Sequence, residues 1–216
     1  MPKVIDHERR RIEIADALFE ALREGGFANV TLSGVAARAG LAIGSVRHFL
    51  GTREQMIAFA FEAMVARVHD RVVARVEALL SSMREEALDA DGRLEAIADL
   101  VCELLPMDSV RNGEAIVWLE FETAARTDPR LSATSRRAAE QVTRLVELIL
   151  TGASRRGLLK PSIDLTVETA RLSALVDGLT LRLALHPEEL SSDTAREIVL
   201  SHLRELRRST ADPAVD

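Results

Sequence analysis

The sequence predicts an all-α chain of about nine helices, and three observations predict it. Ala, Leu, Arg, Glu and Val dominate the 216 residues while Gly (11) and Pro (6) are sparse, a usage that favours helix almost throughout. Apolar residues recur at helical rather than alternating spacing, and no segment reads as a strand. Cap and stop residues separate these periodic stretches at regular intervals. Apolar residues make up 47% of the chain, enough for a sizeable core, although aromatics are only 3% and Tyr is absent.

The first helix is the segment HERRRIEIADALFEALREGG, with Ile12, Ala15, Leu18, Phe19 and Leu22 on one face. Gly25-Gly26 closes it. Phe27 and Val30 are anchors in a short connection. Thr31 caps a second helix running to about Ala39, with Leu32, Val35, Ala36 and Ala39 as its apolar stripe. Gly40 ends it, and a third helix follows over Ile43 to Leu50. Gly51-Thr52 breaks the chain again. Thr52 with Gln55 then forms a capping box for a long fourth helix, REQMIAFAFEAMVARVHDRVVARVEALLSSM. Five more helices follow: DGRLEAIADLVCELLP, NGEAIVWLEFETAART, PRLSATSRRAAEQVTRLVELILTGASRRG, DLTVETARLSALVDGLTLRLALH and SSDTAREIVLSHLRELRR. Pro129 suits a first turn and Gly157 an end. The tail STADPAVD, residues 209–216, reads as flexible.

Net charge is −6, but it is unevenly spread. Residues 1–53 hold eight Lys/Arg against six Asp/Glu, and the remainder twenty against twenty-eight. Gly25 to Arg53 contains no acid at all, yet carries Arg38, Arg47, His48 and Arg53. Such a window can bind phosphate even in an acidic chain. It coincides with helix-turn-helix spacing. Ala36 lies four residues before Gly40, small where the two helices touch, and Gly40 relieves the tight turn. Val35, Leu41 and Val46 take the inward positions. Ile43, Gly44, Ser45, Arg47 and His48 are left on the outer or leading face of the third helix, the face that enters a major groove in such motifs. An ordinary helical hairpin is the competing reading, but a surface helix pair ordinarily mixes acids and bases.

Here the sequence resembles the N-terminal domain of the TetR family of bacterial transcriptional regulators. The similarity is carried by Gly26-Phe27, Thr31, Val35-Ala36, Ala39-Gly40-Leu41, Gly44-Ser45, Arg47-His48-Phe49-Leu50 and Arg53-Glu54. It departs from the family pattern at Arg47, where an aromatic is usual, at Leu50, where Phe is common, and at Arg53, which replaces Lys. Arg53 keeps the charge and can donate to phosphate. Arg47 changes the chemistry, because a guanidinium can bridge O6 and N7 of guanine. By position, Thr31 and Ser33 at the start of the second helix are expected to hold a phosphate, and His48 and Arg53 to face the DNA backbone. Gly44 and Ser45 permit close approach to base edges. Phe49 falls between core and groove, with core favoured.

The resemblance further implies a double-stranded DNA operator as partner, a helical ligand-binding and dimerisation domain over residues 52–208 after a DNA-binding domain over 1–51, and an effector pocket enclosed by the fourth to seventh helices. Apolar and soft side chains available there are Phe59, Met64, Cys102, Leu105, Met107, Trp118 and Phe121, with Glu122, Arg126 and Asp177 as polar orienting groups. Core packing is the competing reading for each. Asp177 has three open roles: a cap, a pair with Arg182 across a dimer, or a ligand contact. The segment LVDGLTLRLALHPEEL is similar to the family's dimerisation region. Leu172, Leu175, Val176, Leu179 and Leu183, with Ile198 and Leu203, are the expected apolar seam of a homodimer.

Other functions have little support in the sequence. The five histidines, His7, His48, His69, His186 and His202, form no i,i+4 ligand pair, and Cys102 is the single cysteine. No metal, cofactor, catalytic set or Gly-rich phosphate loop is expected. No apolar run reaches membrane-spanning length and the N-terminus has no apolar targeting stretch, so a cytoplasmic, non-membrane protein is expected. The reading is a ligand-responsive repressor binding a palindromic operator as a homodimer and released by an unidentified small-molecule inducer. A helical scaffold with a degenerate helix-turn-helix is the alternative.

Overall fold

The computed structural model of the chain describes residues 2–84 and 88–208, with the side chains of 2–6, 8, 27, 28 and 82–84 excepted. Nine helices run through the described residues: α1 (Pro2–Asn29), α2 (Leu32–Ala39), α3 (Ile43–Leu50), α4 (Arg53–Arg84), α5 (Ala90–Cys102), α6 (Ser109–Ala125), α7 (Pro129–Arg155), α8 (Leu165–Leu185) and α9 (Ser192–Leu206). None of them is long and apolar enough to cross a membrane. The expected anchor Phe27 and the expected flexible tail 209–216 lie outside the described residues.

Side-chain oxygens set most helix starts. Thr31 Oγ1 accepts from Gly34 N at 3.0 Å, Asp89 Oδ1 from Gly92 N at 2.8 Å, and Asp108 Oδ1 from Val110 N and Arg111 N, each at 2.9 Å. Asp164 and Ser191 do the same for α8 and α9. Each satisfies N–H groups that have no partner within the helix. The capping box forms as expected: Thr52 N donates to Gln55 Oε1 at 2.9 Å, and Gln55 N to Thr52 Oγ1 at 3.2 Å. The Asp108 cap moves the start of α6 ahead of Asn112. Helix α1 begins on Pro2, whose missing N–H costs nothing in a first turn. Its helical geometry breaks at Gly26 (φ 61°, ψ −177°), within the double-glycine stop, and Asn29 Nδ2 donates back to Gly25 O at 2.9 Å.

The helices are shared between two compact units, Met1–Val68 with Asp108–Ser135, and His69–Met107 with Arg136–Asp216. The division does not follow the boundary expected at residues 51 and 52. Gly51-Thr52 ends a helix, not a unit, because the next stretch of α4 carries buried Met56, Ile57, Phe59, Phe61 and Met64. In the first unit these pack with a core that also buries Ile14, Leu18 and Leu22 of α1, Val35 of α2, Val46 and Leu50 of α3, and Phe121 of α6. Phe61 and Phe121 stack face to face, with centroids 3.7 Å apart and planes 11° from parallel. Two clasps join α1 to α4. Arg11 lies over the Phe59 ring, 4.8 Å from its centroid, and donates to Glu62 at 2.6 Å. Arg67 lies over Phe19 at 4.1 Å and donates to Asp16 at 2.5 Å. Each helix thus gives one cation and receives one, onto a ring beside a carboxylate.

The second unit packs α5, α8 and α9 with parts of α4 and α7. Its core includes Leu94, Ile97, Val101, Cys102 and Leu105, Val146 and Leu150, and Ala195, Val199 and Leu203. Asp99 of α5 accepts from Arg75 of α4 at 2.5 Å and from Arg196 of α9 at 2.7 Å. Most of the expected dimer seam packs within this one chain. Leu172, Val176, Leu179 and Leu183 of α8, and Leu203 of α9, are buried in this chain's own core. Helical periodicity marks a buried face without saying which chain covers it. Leu175 is half-buried, and Ile198, at 36% exposure, faces outward with Leu181 and Leu185.

Between α8 and α9 sits a buried polar pair. His202 Nε2 lies 3.7 Å from Glu168 Oε2, both side chains are about nine-tenths buried, and neither atom has a hydrogen-bond partner among the described residues. Burial pushes the His202 pKa below the ordinary imidazole value of 6.5. Glu168 and Glu205 pull it up and Arg171 pushes it down, leaving a net depression. The unfolded chain therefore binds this proton more readily. The stability from a neutral His202 is present above pH 6.5 and is lost as pH falls through that value toward the lower folded one. A thermal-melting series from about pH 7.5 to 5 should show a falling midpoint for the wild type and a flatter one for His202→Gln. Parallel curves would refute the assignment.

Candidate nucleic-acid interface

The geometry starts at the turn between α2 and α3. Gly40 adopts φ 65°, ψ 30°, the left-handed region, and Leu41 N donates to Ala36 O at 3.0 Å. A Cβ at Gly40 would meet nothing within 4 Å, so backbone conformation and not space is what favours glycine here. Helix α3 follows with Ala42 at its N-cap. Val46 and Leu50 are fully buried, which fixes the rotation of the helix about its axis. Ile43, Gly44, Arg47 and His48 are consequently exposed and Ser45 is half-buried. The space around Gly44 is open, and a Cβ there would have no neighbour within 4 Å.

Thr31 and Ser33 are also exposed, at the start of α2, and their hydroxyl oxygens lie 3.2 Å apart. Thr31 already serves as the helix cap, so its hydroxyl hydrogen is the group left to offer an anion. Phe49 is half-buried on the rim of α3, with ring centroids of His7, His48 and Phe59 at 5.1, 5.4 and 6.1 Å. It joins the third helix to α1 and α4 and does not project into the exposed face.

The acid-free window is not free of acids in three dimensions. Arg38 is paired with Glu24 of α1 and also donates to Gly34 O at 3.3 Å. Arg53 Nη2 lies 3.4 Å from Glu120 Oε2 of α6. Among the described residues Arg47 has no ion-pair partner. The cations open to an incoming polyanion thus reduce to Arg47, with Arg53 shared and Arg38 occupied. No pattern within residues 25–53 could have revealed this, since both carboxylates come from outside the window.

The effector-binding candidates fall in both units. Met64, Trp118, Phe121, Glu122 and Arg126 belong to the first. Met64 and Phe121 are buried there, Trp118 is half-buried, and Glu122 accepts from Ser135 Oγ at 2.9 Å on each carboxylate oxygen. Arg126, at the C-terminal cap of α6, is exposed. Cys102, Leu105 and Met107 belong to the second unit's core or its edge, and Asp177 is exposed on α8. Arg182 pairs within the chain with Glu189 at 3.5 Å. A groove of about 500 Å³ in the first unit is lined by Glu13, Asp16, Phe19, Arg23, Arg38 and Arg67 among others, and none of the effector candidates borders it.

Comparison with known proteins places this geometry. Residues 92–208 match the family described as BetI-type transcriptional repressor, C-terminal. The HTH-type transcriptional regulator PksA of Bacillus subtilis (strain 168) is 28% identical over 207 residues, spanning 95% of this chain and 94% of that protein. A transcriptional regulator of known structure from Rhodococcus sp. Rha1 is 28% identical, covers 91% of this chain and 95% of its own, and superposes with a TM-score of 0.66. The multidrug binding protein EbrR, solved in complex with imidazole, is 25% identical over 94% of this chain and 92% of its own, with a TM-score of 0.57.

Proposed function

Because the chain belongs to the TetR family of bacterial transcriptional regulators, in its BetI-type branch, and is a ligand-responsive regulator of that kind, we propose that it is a homodimeric repressor reading a palindromic operator through α3. The observation that carries this reading is the outward face of α3. Val46 and Leu50 are locked into the core while Ile43, Gly44, Arg47 and His48 stay exposed, with no carboxylate in the same helix. Arg47 reads a guanine, and Thr31, Ser33, His48 and Arg53 hold the flanking phosphates. Two such helices, related by the dimer two-fold, address successive major grooves. The outward apolar residues of α8 and α9, Leu181, Leu185 and Ile198, supply the dimer contact in place of the buried seam.

Release requires an effector that binds the DNA-incompetent state better than the competent one. EbrR, whose bound ligand is imidazole, supports a small organic molecule as the effector class. Helix α4 runs from one unit into the other and is the covalent route by which such binding alters the separation of the two recognition helices. The site of action is the cytoplasm, where the chromosome lies.

Selection of duplexes from a random pool on the purified chain tests the reading. An inverted repeat with a guanine at the same place in each half should emerge, bound with a steep salt dependence. A folded chain that enriches no sequence would point instead to a helical scaffold.

A further inference from the structure

Arg53 is the first residue of α4, and its backbone is pinned by the Thr52–Gln55 capping box. Its side chain remains 55% exposed and makes one stretched contact, 3.4 Å, with a Glu120 carboxylate that is itself 39% exposed. The remaining guanidinium donors have no ion-pair partner among the described residues. The next residue, Glu54, lies close to Arg130, which is held by Asp128 through bonds of 2.7 to 3.2 Å. Charges of both signs therefore lie around the N-terminus of α4, with Arg130 taken up by Asp128. Glu120 is left with Arg53 as its one ion-pair partner among the described residues.

We propose that Glu120 is an internal competitor for the phosphate that Arg53 engages, so that α6 tunes operator affinity through a single ion pair. The inference rests on the reading of Arg53 as a phosphate contact. A phosphodiester and the Glu120 carboxylate each carry one negative charge and seek the same guanidinium. In the free protein the carboxylate holds it. On DNA the pair must open, or Glu120 must stay beside a phosphate at a cost in repulsion. Glu120 also sits next to Phe121 and Glu122 on α6, two of the effector candidates. A shift of α6 along or about its axis changes the hold on Arg53 directly, without passing through the length of α4.

The test is a double-mutant cycle on the full chain: wild type, Glu120→Gln, Arg53→Gln and the double variant. Affinity for the selected duplex is measured at several salt concentrations, with circular dichroism confirming the fold of each. Glu120→Gln should bind about two- to five-fold more tightly at low salt, the scale of an exposed ion pair. Arg53→Gln should bind more weakly, with a salt slope shallower by about two, one phosphate contact being lost from each half of the dimer. The double variant should match Arg53→Gln. An unchanged or weaker Glu120→Gln overturns the competition, and so does a gain that persists in the Arg53→Gln background, which would make Glu120 a general repeller of DNA. If Arg53→Gln leaves affinity and salt slope unaltered, Arg53 is no phosphate contact, and the inference falls together with that assignment.

Discussion

Replacing Arg47 with alanine should abolish preference at one base pair in each half of the operator while leaving the fold intact. The side chain is exposed and unpaired among the described residues, so its loss is expected to change stability by no more than about 0.5 kcal/mol. A bidentate guanidinium–guanine contact discriminates by about 1–3 kcal/mol against the wrong base, and a dimer makes it twice. Titration of wild type and Arg47→Ala against the selected operator and its single-base variants separates two roles. A base-reading arginine loses its discrimination at one position and keeps it elsewhere. A phosphate-binding arginine weakens every sequence alike and flattens the salt slope, and that result would remove Arg47 from the readout.

Phe121→Ala should be among the most destabilising single substitutions in the first unit. The ring is 1% exposed and stacked on Phe61, so truncation removes its transfer energy and leaves a cavity, at a cost of about 3–5 kcal/mol. The near-parallel stacking geometry is not the offset or edge-on one that aromatic pairs prefer, so no additional pair energy is counted. Trp118, the one tryptophan of the chain, lies a turn away on α6, and its fluorescence reports this unit during urea unfolding. A large drop in midpoint places Phe121 in the core. An unchanged midpoint with altered effector binding would place it in a pocket wall.

Some features are plain in the sequence for identifiable reasons. Helix α3 is legible because Gly40 and Gly51 bracket it, and the start of α4 because Thr52 and Gln55 are complementary at the right spacing. The outward set on α3 follows from the same period that buries Val46 and Leu50. Partners contributed from elsewhere in the chain are not legible. Arg38 meets Glu24 and Arg53 meets Glu120, pairings set by how helices pack and not by any local pattern. The same limit applies to the seam. Leu172 to Leu183 carry a stripe that suits an intramolecular or an intermolecular partner equally well. The division into compact units is not legible at Gly51-Thr52, because that break ends a helix while buried residues of α4 continue the same core. Phe59 and Phe61 tie the next two turns of α4 to α1 and α6.

The two clasps between α1 and α4 have a consequence for how new operators arise. Arg11–Glu62 and Asp16–Arg67 are both separated by 51 residues, so they act as two rungs of one ladder. Neither helix can slip by a turn relative to the other without breaking both. The outward positions of α3 take no part in this ladder, and mutation there leaves the mounting of the helix untouched. A lineage carrying this chassis can therefore exchange Ile43 or Arg47 and drift from one target sequence to another while presenting its reading head at a constant pose. Loss of either rung would act in the opposite sense, loosening the reading of every base together.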